Sequence, residues 1–159
     1  MTDTTKHQGQ RRQLVKLLKQ KGIQDERVLN AVGTVPRHIF MDPGLEEYSY
    51  LDKAFPIGAN QTISQPYIVA YMTEMLDVKP SHRVLDVGMG SGYQSAVLSK
   101  LVKEVYAIEI IKELAEKTRE VLQDYKNIKI GIRNGYDGWE KYAQYDRIMV
   151  AAKTNQVPK

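Results

Sequence analysis

The stretch VLDVGMGSGYQSAVL, residues 84–98, runs from a short hydrophobic strand through Gly88, Gly90 and Gly92 into an amphipathic helix. Glycines at such a turn let the main chain approach a ligand closely, and the helix that follows offers unpaired N–H groups. This pattern predicts a site for a nucleotide-like ligand at the end of a parallel strand. About 20 residues on, VYAIE ends in Glu109, where an acid is placed to take ribose hydroxyls.

Working outward, strand 83–87 precedes helix 92–102, and strand 104–108 precedes helix 112–125. Strand 128–132 then leads across a Gly/Trp loop to strand 146–151. Strands alternating with helices imply an α/β domain, a doubly wound, mostly parallel sheet with helices on both faces. Upstream, residues 8–21 read as a helix with Leu14, Leu17 and Leu18 inward, stopped at Gly22, and a second short helix covers about 25–33. Residues 36–63 are irregular and aromatic-rich, and a helical pattern returns at 66–77. The chain divides into an N-terminal helical and substrate-facing region, 1–80, and a cofactor-binding part, 81–159, within one domain.

The net charge is +4 over 159 residues. Residues 1–21 carry Lys6, Arg11, Arg12, Lys16, Lys19 and Lys21 against Asp3, a balance of +5, and the remainder is at −1. The basic character therefore belongs to one helix, a solvated face in the simplest reading, and nucleic acid is not the expected partner. Without cysteine, disulfides, thiolate catalysis and cysteine metal sites are excluded. The polar N-terminus and the lack of a long apolar run point to a cytoplasmic protein with no membrane partner. His7, His38 and His82 lie far apart in sequence, and no metal spacing or Ser/His/Asp grouping can be built from them.

Three constellations carry chemistry. Around the glycine turn the spacing is G-x-G-x-G, with Asp86 two residues before Gly88. That acid would repel a pyrophosphate and suits a cationic ligand, so S-adenosyl-L-methionine fits better than a dinucleotide. In IGANQTISQPYIVAYM, residues 57–72, Ser64 stands at the start of a helix with Pro66 in its first turn. Thr62 and Ser64 are read either as caps or as hydroxyls that complete a carboxylate receptor at the helix N-terminus. In RNGYDGWEKYAQYDRIMVAA, residues 133–152, Asn134-Gly135 follows the third strand, where an adenine-facing loop belongs. Trp139 is read as a packing residue and Asp146 as a strand-edge charge.

Together these blocks resemble the protein-L-isoaspartate (D-aspartate) O-methyltransferase family, of the class I S-adenosylmethionine-dependent methyltransferases with a Rossmann-like fold. The resemblance runs from about Val35 to Pro158, through PRHIF, IGANQTISQPYIVAYM, VLDVGMGSGYQSAVL, AIE, NGYDGW, YD and AA. The QTISQP block just before the glycine motif is the specific part. The resemblance implies that Ser64 acts in catalysis beside the substrate-facing residues Gln61, Thr62 and Ile63. It implies that Asp86, Gly88, Gly90 and Ser91 surround the methionine part of the cofactor. Glu109 would hold the ribose, and Asn134 with Gly135 would face the adenine. The acceptors would be isoaspartyl-containing proteins and peptides, the full-length enzyme a monomer, and no metal would be required.

This chain departs from the family pattern at Asn134, where Asp-Gly is usual, and at Met89, where a small residue is common. Only four sheet strands are readable before Lys159, whereas the class I fold usually has seven, so the last strands are expected to be missing. Strand 146–151 would then be an exposed apolar edge. An inactive cofactor- or protein-binding relative and a methyltransferase for another acceptor, such as RNA, are the alternatives.

Overall fold

The structure, a computed structural model, describes residues 2–153. Helix α1 (Thr5–Gln20) begins at Thr4, whose hydroxyl accepts the His7 N–H while the His7 ring accepts the Thr4 N–H, a reciprocal cap. Helix α2 (Glu26–Thr34) starts at Asp25, which caps the Arg27 N–H. In α1, Leu14 and Leu18 are buried, but Leu17 lies at the surface, a correction to the inward placement of all three. No helix among the described residues is long and apolar enough to cross a membrane.

Residues 36–63 are more ordered than their sequence implies. Two 3-10 turns, Arg37–Phe40 and Pro43–Tyr48, precede an antiparallel hairpin of β1 (Phe55–Gly58) and β2 (Gln61–Ile63). Its turn places Ala59 and Asn60 at positive φ, a conformation that glycine would have announced in the sequence. Helix α3 (Pro66–Met75) follows.

The sheet contains β3 (Arg83–Val87), β4 (Glu104–Glu109), β5 (Ile128–Ile132) and β6 (Arg147–Val150), all parallel in the order β5-β4-β3-β6. Helices α4 (Tyr93–Ser99) and α5 (Lys112–Val121) supply the crossovers between β3, β4 and β5. The strand order reverses between β3 and β6, which opens a crevice at their carboxyl ends.

Period-two alternation sorts the strands onto two faces. Val84, Val105, Ala107 and Met149 join the main core with the buried residues of the helices. Leu85, Val87, Tyr106 and Ile108 form a second cluster on the opposite face. There Trp139, Tyr142 and Tyr145 pack over Tyr106, carried by the 3-10 turns Gly135–Asp137 and Glu140–Tyr142 and the chain that follows. Helices on both faces are thus corrected, among the described residues, to helices on one face and an aromatic layer on the other. Ile148 and Val150 of β6 are exposed, as expected of an apolar edge. Asp146 accepts the Arg83 N–H at 2.8 Å, so it joins the starts of β6 and β3 and is more than an edge charge.

Candidate active site

The glycine turn sits at the carboxyl end of β3, in the crevice where strand order reverses. Gly88, Gly90 and Gly92 all have positive φ. At Gly88 a Cβ would lie 2.7 Å from the Ala152 Cβ, so the glycine lets the ends of β3 and β6 meet. At Gly92 it would strike Thr118 and Leu122 at 2.7 and 2.8 Å, so there glycine lets α5 pack on the turn. Thr118 Oγ1 also donates to the Gly90 carbonyl at 2.6 Å, which ties the turn to α5.

Asp86 is fully buried one residue before the end of β3. Its Oδ2 accepts the Ser95 hydroxyl at 2.5 Å, and its Oδ1 has no partner among the described residues. Burial pushes its pKa up to about 6; the Ser95 hydrogen bond opposes the rise and the Glu109 charge adds to it. An unpaired oxygen on a buried acid suits a cationic group entering the turn.

Glu109, at the end of β4, is also buried. Its Oε2 accepts the Gly90 N–H at 3.1 Å, and Oε1 accepts the N–H groups of Ile110 and Ile111 at 2.9 and 3.0 Å. The acid chosen from the sequence for ribose therefore also braces the glycine turn. Beyond β5, Asn134 Oδ1 accepts the Tyr136 N–H at 3.1 Å, and a Cβ on Gly135 would lie 2.5 Å from Val87 Cγ1. The loop after β5 is thus pressed onto the end of β3, beside the turn. Ser91 is partly exposed in the turn itself.

The β1–β2 hairpin reaches the same place through Ile57, whose Cδ1 would be 3.4 Å from a Cβ on Gly90. Gln61, Thr62 and Ser64 are exposed, while Ile63 is buried in the core and anchors the segment. The Ser64 hydroxyl makes no hydrogen bond to a described residue. The helix N-cap is Gln65, without a side-chain cap bond, so the capping role for Thr62 and Ser64 is corrected.

That role falls to Asp52. Its Oδ1 accepts the Tyr67 N–H at 2.7 Å, and its Oδ2 takes Gln65 Nε2 at 3.1 Å and Lys21 Nζ at 2.5 Å. Burial alone would raise the Asp52 carboxyl, but Lys21, the Tyr67 N–H and Gln65 outweigh it and hold the pKa below its ordinary value. The α3 N-terminus is therefore closed by this carboxylate, a correction to its reading as an open carboxylate receptor. Fully buried Arg37 fixes the loop that carries Asp52 by donating to the carbonyls of Ser49 and Lys53 at 2.9 and 3.3 Å. Its guanidinium also lies 4.8 Å over the ring of Tyr93, the first residue of α4. Neither the Asp52 cap nor the Arg37 brace is visible in the sequence, since the partners of both lie outside any short motif.

Two of the three histidines, far apart in sequence, come together in the fold, while His82 accepts the Lys79 N–H in the turn before β3. His7 and His38 stack at 3.8 Å between ring centroids, and His38 Nδ1 meets the Tyr50 hydroxyl at 2.8 Å. Asp3 Oδ1 and Oδ2 take Arg11 at 3.0 and 2.9 Å, and Arg11 also bonds Tyr50. A ligand atom from each of Asp3, His7 and His38 lies within 4.8 Å of the others, but the Asp3 oxygens and both His7 nitrogens already have partners. The cluster locks α1 onto residues 38–50, and Arg11 is buried within it and withdrawn from the basic face.

A parallel sheet with a reversal in strand order, a G-x-G-x-G turn at that point, a buried acid before it and another at the next strand end define a Rossmann-like domain of the class I methyltransferase type. The model of the family described as protein-L-isoaspartate(D-aspartate) O-methyltransferase matches residues 9–159. The protein-L-isoaspartate O-methyltransferase of Christiangramia forsetii is 52% identical over 161 residues, covering 100% of this chain and 76% of its own length. That of Flavobacterium psychrophilum is 48% identical over 166 residues, with the same coverages. A solved protein-L-isoaspartate O-methyltransferase aligns with TM-score 0.83 and 27% identity over 93% of this chain and 50% of that one. A Plasmodium falciparum structure assigned to the same family, in complex with S-adenosyl-L-homocysteine, aligns with TM-score 0.79 and 28% identity, covering 96% and 76%. The chain belongs to the protein-L-isoaspartate (D-aspartate) O-methyltransferase family, and it spans about three quarters of the length of these two curated relatives.

Proposed function

We propose that this protein transfers a methyl group from S-adenosyl-L-methionine to the carboxylate of isoaspartyl, and D-aspartyl, residues in damaged proteins. The observation that carries the reading is the unpaired Oδ1 of buried Asp86 behind a turn in which Gly88 and Gly92 leave no room for a Cβ. A cofactor bearing an ammonium and a sulfonium matches that acid. Asp86, Gly88, Gly90 and Ser91 would hold its methionine part, Glu109 its ribose, and Asn134 with Gly135 its adenine. When bound, the cofactor supplies an electrophilic methyl group.

The chain's own contribution is binding and orientation. A carboxylate acceptor, with a pKa of roughly 4, is already ionised at neutral pH, so no general base is needed. Ser64, with Gln61 and Thr62, would hydrogen-bond the acceptor and hold it in line, and Ile63 would keep that segment seated. Proximity then supplies most of the rate. A cytoplasmic location and a monomeric full-length state are part of this reading.

The product identifies the chemistry. A carboxyl methyl ester releases methanol in mild alkali, whereas methyl groups on RNA bases or protein amines do not. Alkali-stable label would overturn the proposal, and such label on an RNA acceptor would favour the RNA alternative. Withdrawal of Arg11 from the basic face speaks against that alternative.

A further inference from the structure

Asn134 precedes a glycine that the fold cannot replace. A Cβ at Gly135 would lie 2.5 Å from Val87 Cγ1, so packing against β3 dictates glycine there. The same glycine leaves its main-chain nitrogen unhindered beside an amide side chain. Of the five asparagines, Asn30, Asn60, Asn127 and Asn155 precede Ala, Gln, Ile and Gln, and only Asn134 precedes Gly. Asn134 is exposed, and the Gly135 N–H makes no hydrogen bond to a described residue.

The geometry also shows what restrains the site. Asn134 has ψ 128°, and its Oδ1 is held by the Tyr136 N–H, so the Gly135 nitrogen is turned away from the side-chain carbon. The remaining main-chain bonds of the turn are local: Asp137 N to Asn134 O at 3.1 Å and Gly138 N to Gly135 O at 3.2 Å. Local opening of such a turn breaks few bonds and frees the peptide to rotate.

We propose that Asn134 is a site of spontaneous covalent modification in the cofactor loop. The Gly135 nitrogen bonds to Asn134 Cγ, and the side-chain nitrogen leaves as ammonia with the proton from the Gly135 amide. Water then opens the succinimide. Addition at Cγ gives an ordinary aspartyl residue at this position, and addition at the main-chain carbonyl gives an isoaspartyl link. The ordinary aspartyl product retains the oxygen that accepts the Tyr136 N–H. The isoaspartyl link adds a methylene to the main chain and displaces Gly135 from Val87, which distorts the loop. It also creates the acceptor group assigned under Proposed function, and this extension rests on that reading. A second copy would methylate it; the Gly135 nitrogen would then displace methanol from the ester, re-forming the succinimide and draining the loop towards the ordinary aspartyl form.

The test incubates the purified chain at physiological temperature and pH, alongside a free peptide of residues 131–138, and follows residue 134 by peptide mapping. The proposal expects loss of the Asn134 amide, with aspartyl and isoaspartyl products, while Asn30, Asn60 and Asn127 keep theirs. Retention of the amide in the protein while the peptide loses it overturns the proposal. In a second arm, aged and unfolded parent and Asn134→Gln chains serve as methyl acceptors for fresh parent protein, with a synthetic isoaspartyl peptide as control. Label on the parent acceptor, with a marked loss on Asn134→Gln, supports the extension. If the control peptide is labelled and the aged parent is not, the extension fails. If neither is labelled although residue 134 is modified, the functional reading fails and the modification stands.

Discussion

Asp52 Oδ1 accepts the Tyr67 main-chain N–H at 2.7 Å, which closes the N-terminus of α3 from a loop 15 residues upstream. The same carboxylate holds Gln65 and Lys21, so one residue fixes the strand-to-helix junction that presents Ser64. Removing a half-buried, charge-assisted acceptor costs about 1–3 kcal/mol. Asp52→Ala is expected to lose stability on that scale and to raise KM for an isoaspartyl peptide while leaving S-adenosylhomocysteine affinity nearly unchanged. Asp52→Asn, which keeps an acceptor but loses the charge facing Lys21, should fall between. Denaturant melts with steady-state kinetics check this, and an unchanged KM in Asp52→Ala would remove Asp52 from the substrate side.

Asp86 should make both stability and cofactor binding depend on pH. Its pKa in the fold, about 6, exceeds the ordinary 3.8, so the native state favours the protonated acid. That contribution is fully present below about pH 4 and is lost as pH rises through 6. At about 1.4 kcal/mol per unit the difference is on the order of 3 kcal/mol. Asp86→Asn should therefore be more stable than the parent at pH 7.5, with the gap closing by pH 4. A cationic ligand has the opposite requirement, because it needs the ionised acid. Affinity for S-adenosylhomocysteine, which keeps the ammonium, should rise up to about tenfold per pH unit towards 6 and level off above it. Calorimetry from pH 5 to 8 reads this, and a flat profile would separate Asp86 from the ligand.

Two glycines with positive φ separate backbone strain from close approach. Gly22, at φ 101°, has open space where a Cβ would stand, whereas at Gly88 the Ala152 Cβ is 2.7 Å away. Gly22→Ala should cost about 1 kcal/mol from conformation alone and leave ligand binding intact. Gly88→Ala adds a clash between the ends of β3 and β6, so its cost should exceed about 2 kcal/mol, with loss of cofactor binding. Equal effects in melts and titrations would mean that the close approach at Gly88 is not required.

The parallel core was legible because its signals are local. Strands 83–87 and 128–132 match their predicted limits, since short apolar runs between turn residues leave little choice of boundary. The hairpin at 55–63 was hidden because Ala59 and Asn60 take a conformation for which glycine is the usual marker. Asp52, Arg37 and the His7–His38 stack were hidden for another reason. Each draws its meaning from partners 12 or more residues away, and a periodicity reading does not register such pairs. Spacing singles out Glu109, but its grip on the Gly90 N–H depends on a side-chain conformation that spacing does not encode.

The proposed activity requires one site to bring a methyl donor and an isoaspartyl carboxylate together. Transfer of labelled methyl from S-adenosyl-L-methionine to an isoaspartyl peptide, compared with transfer to the same peptide carrying normal aspartate, reads that requirement without intermediaries. Turnover is expected with the isoaspartyl peptide only, and it should fall sharply in Ser64→Ala and Glu109→Ala. Equal labelling of both peptides, or no labelling of either by a chain that binds the cofactor, would refute it.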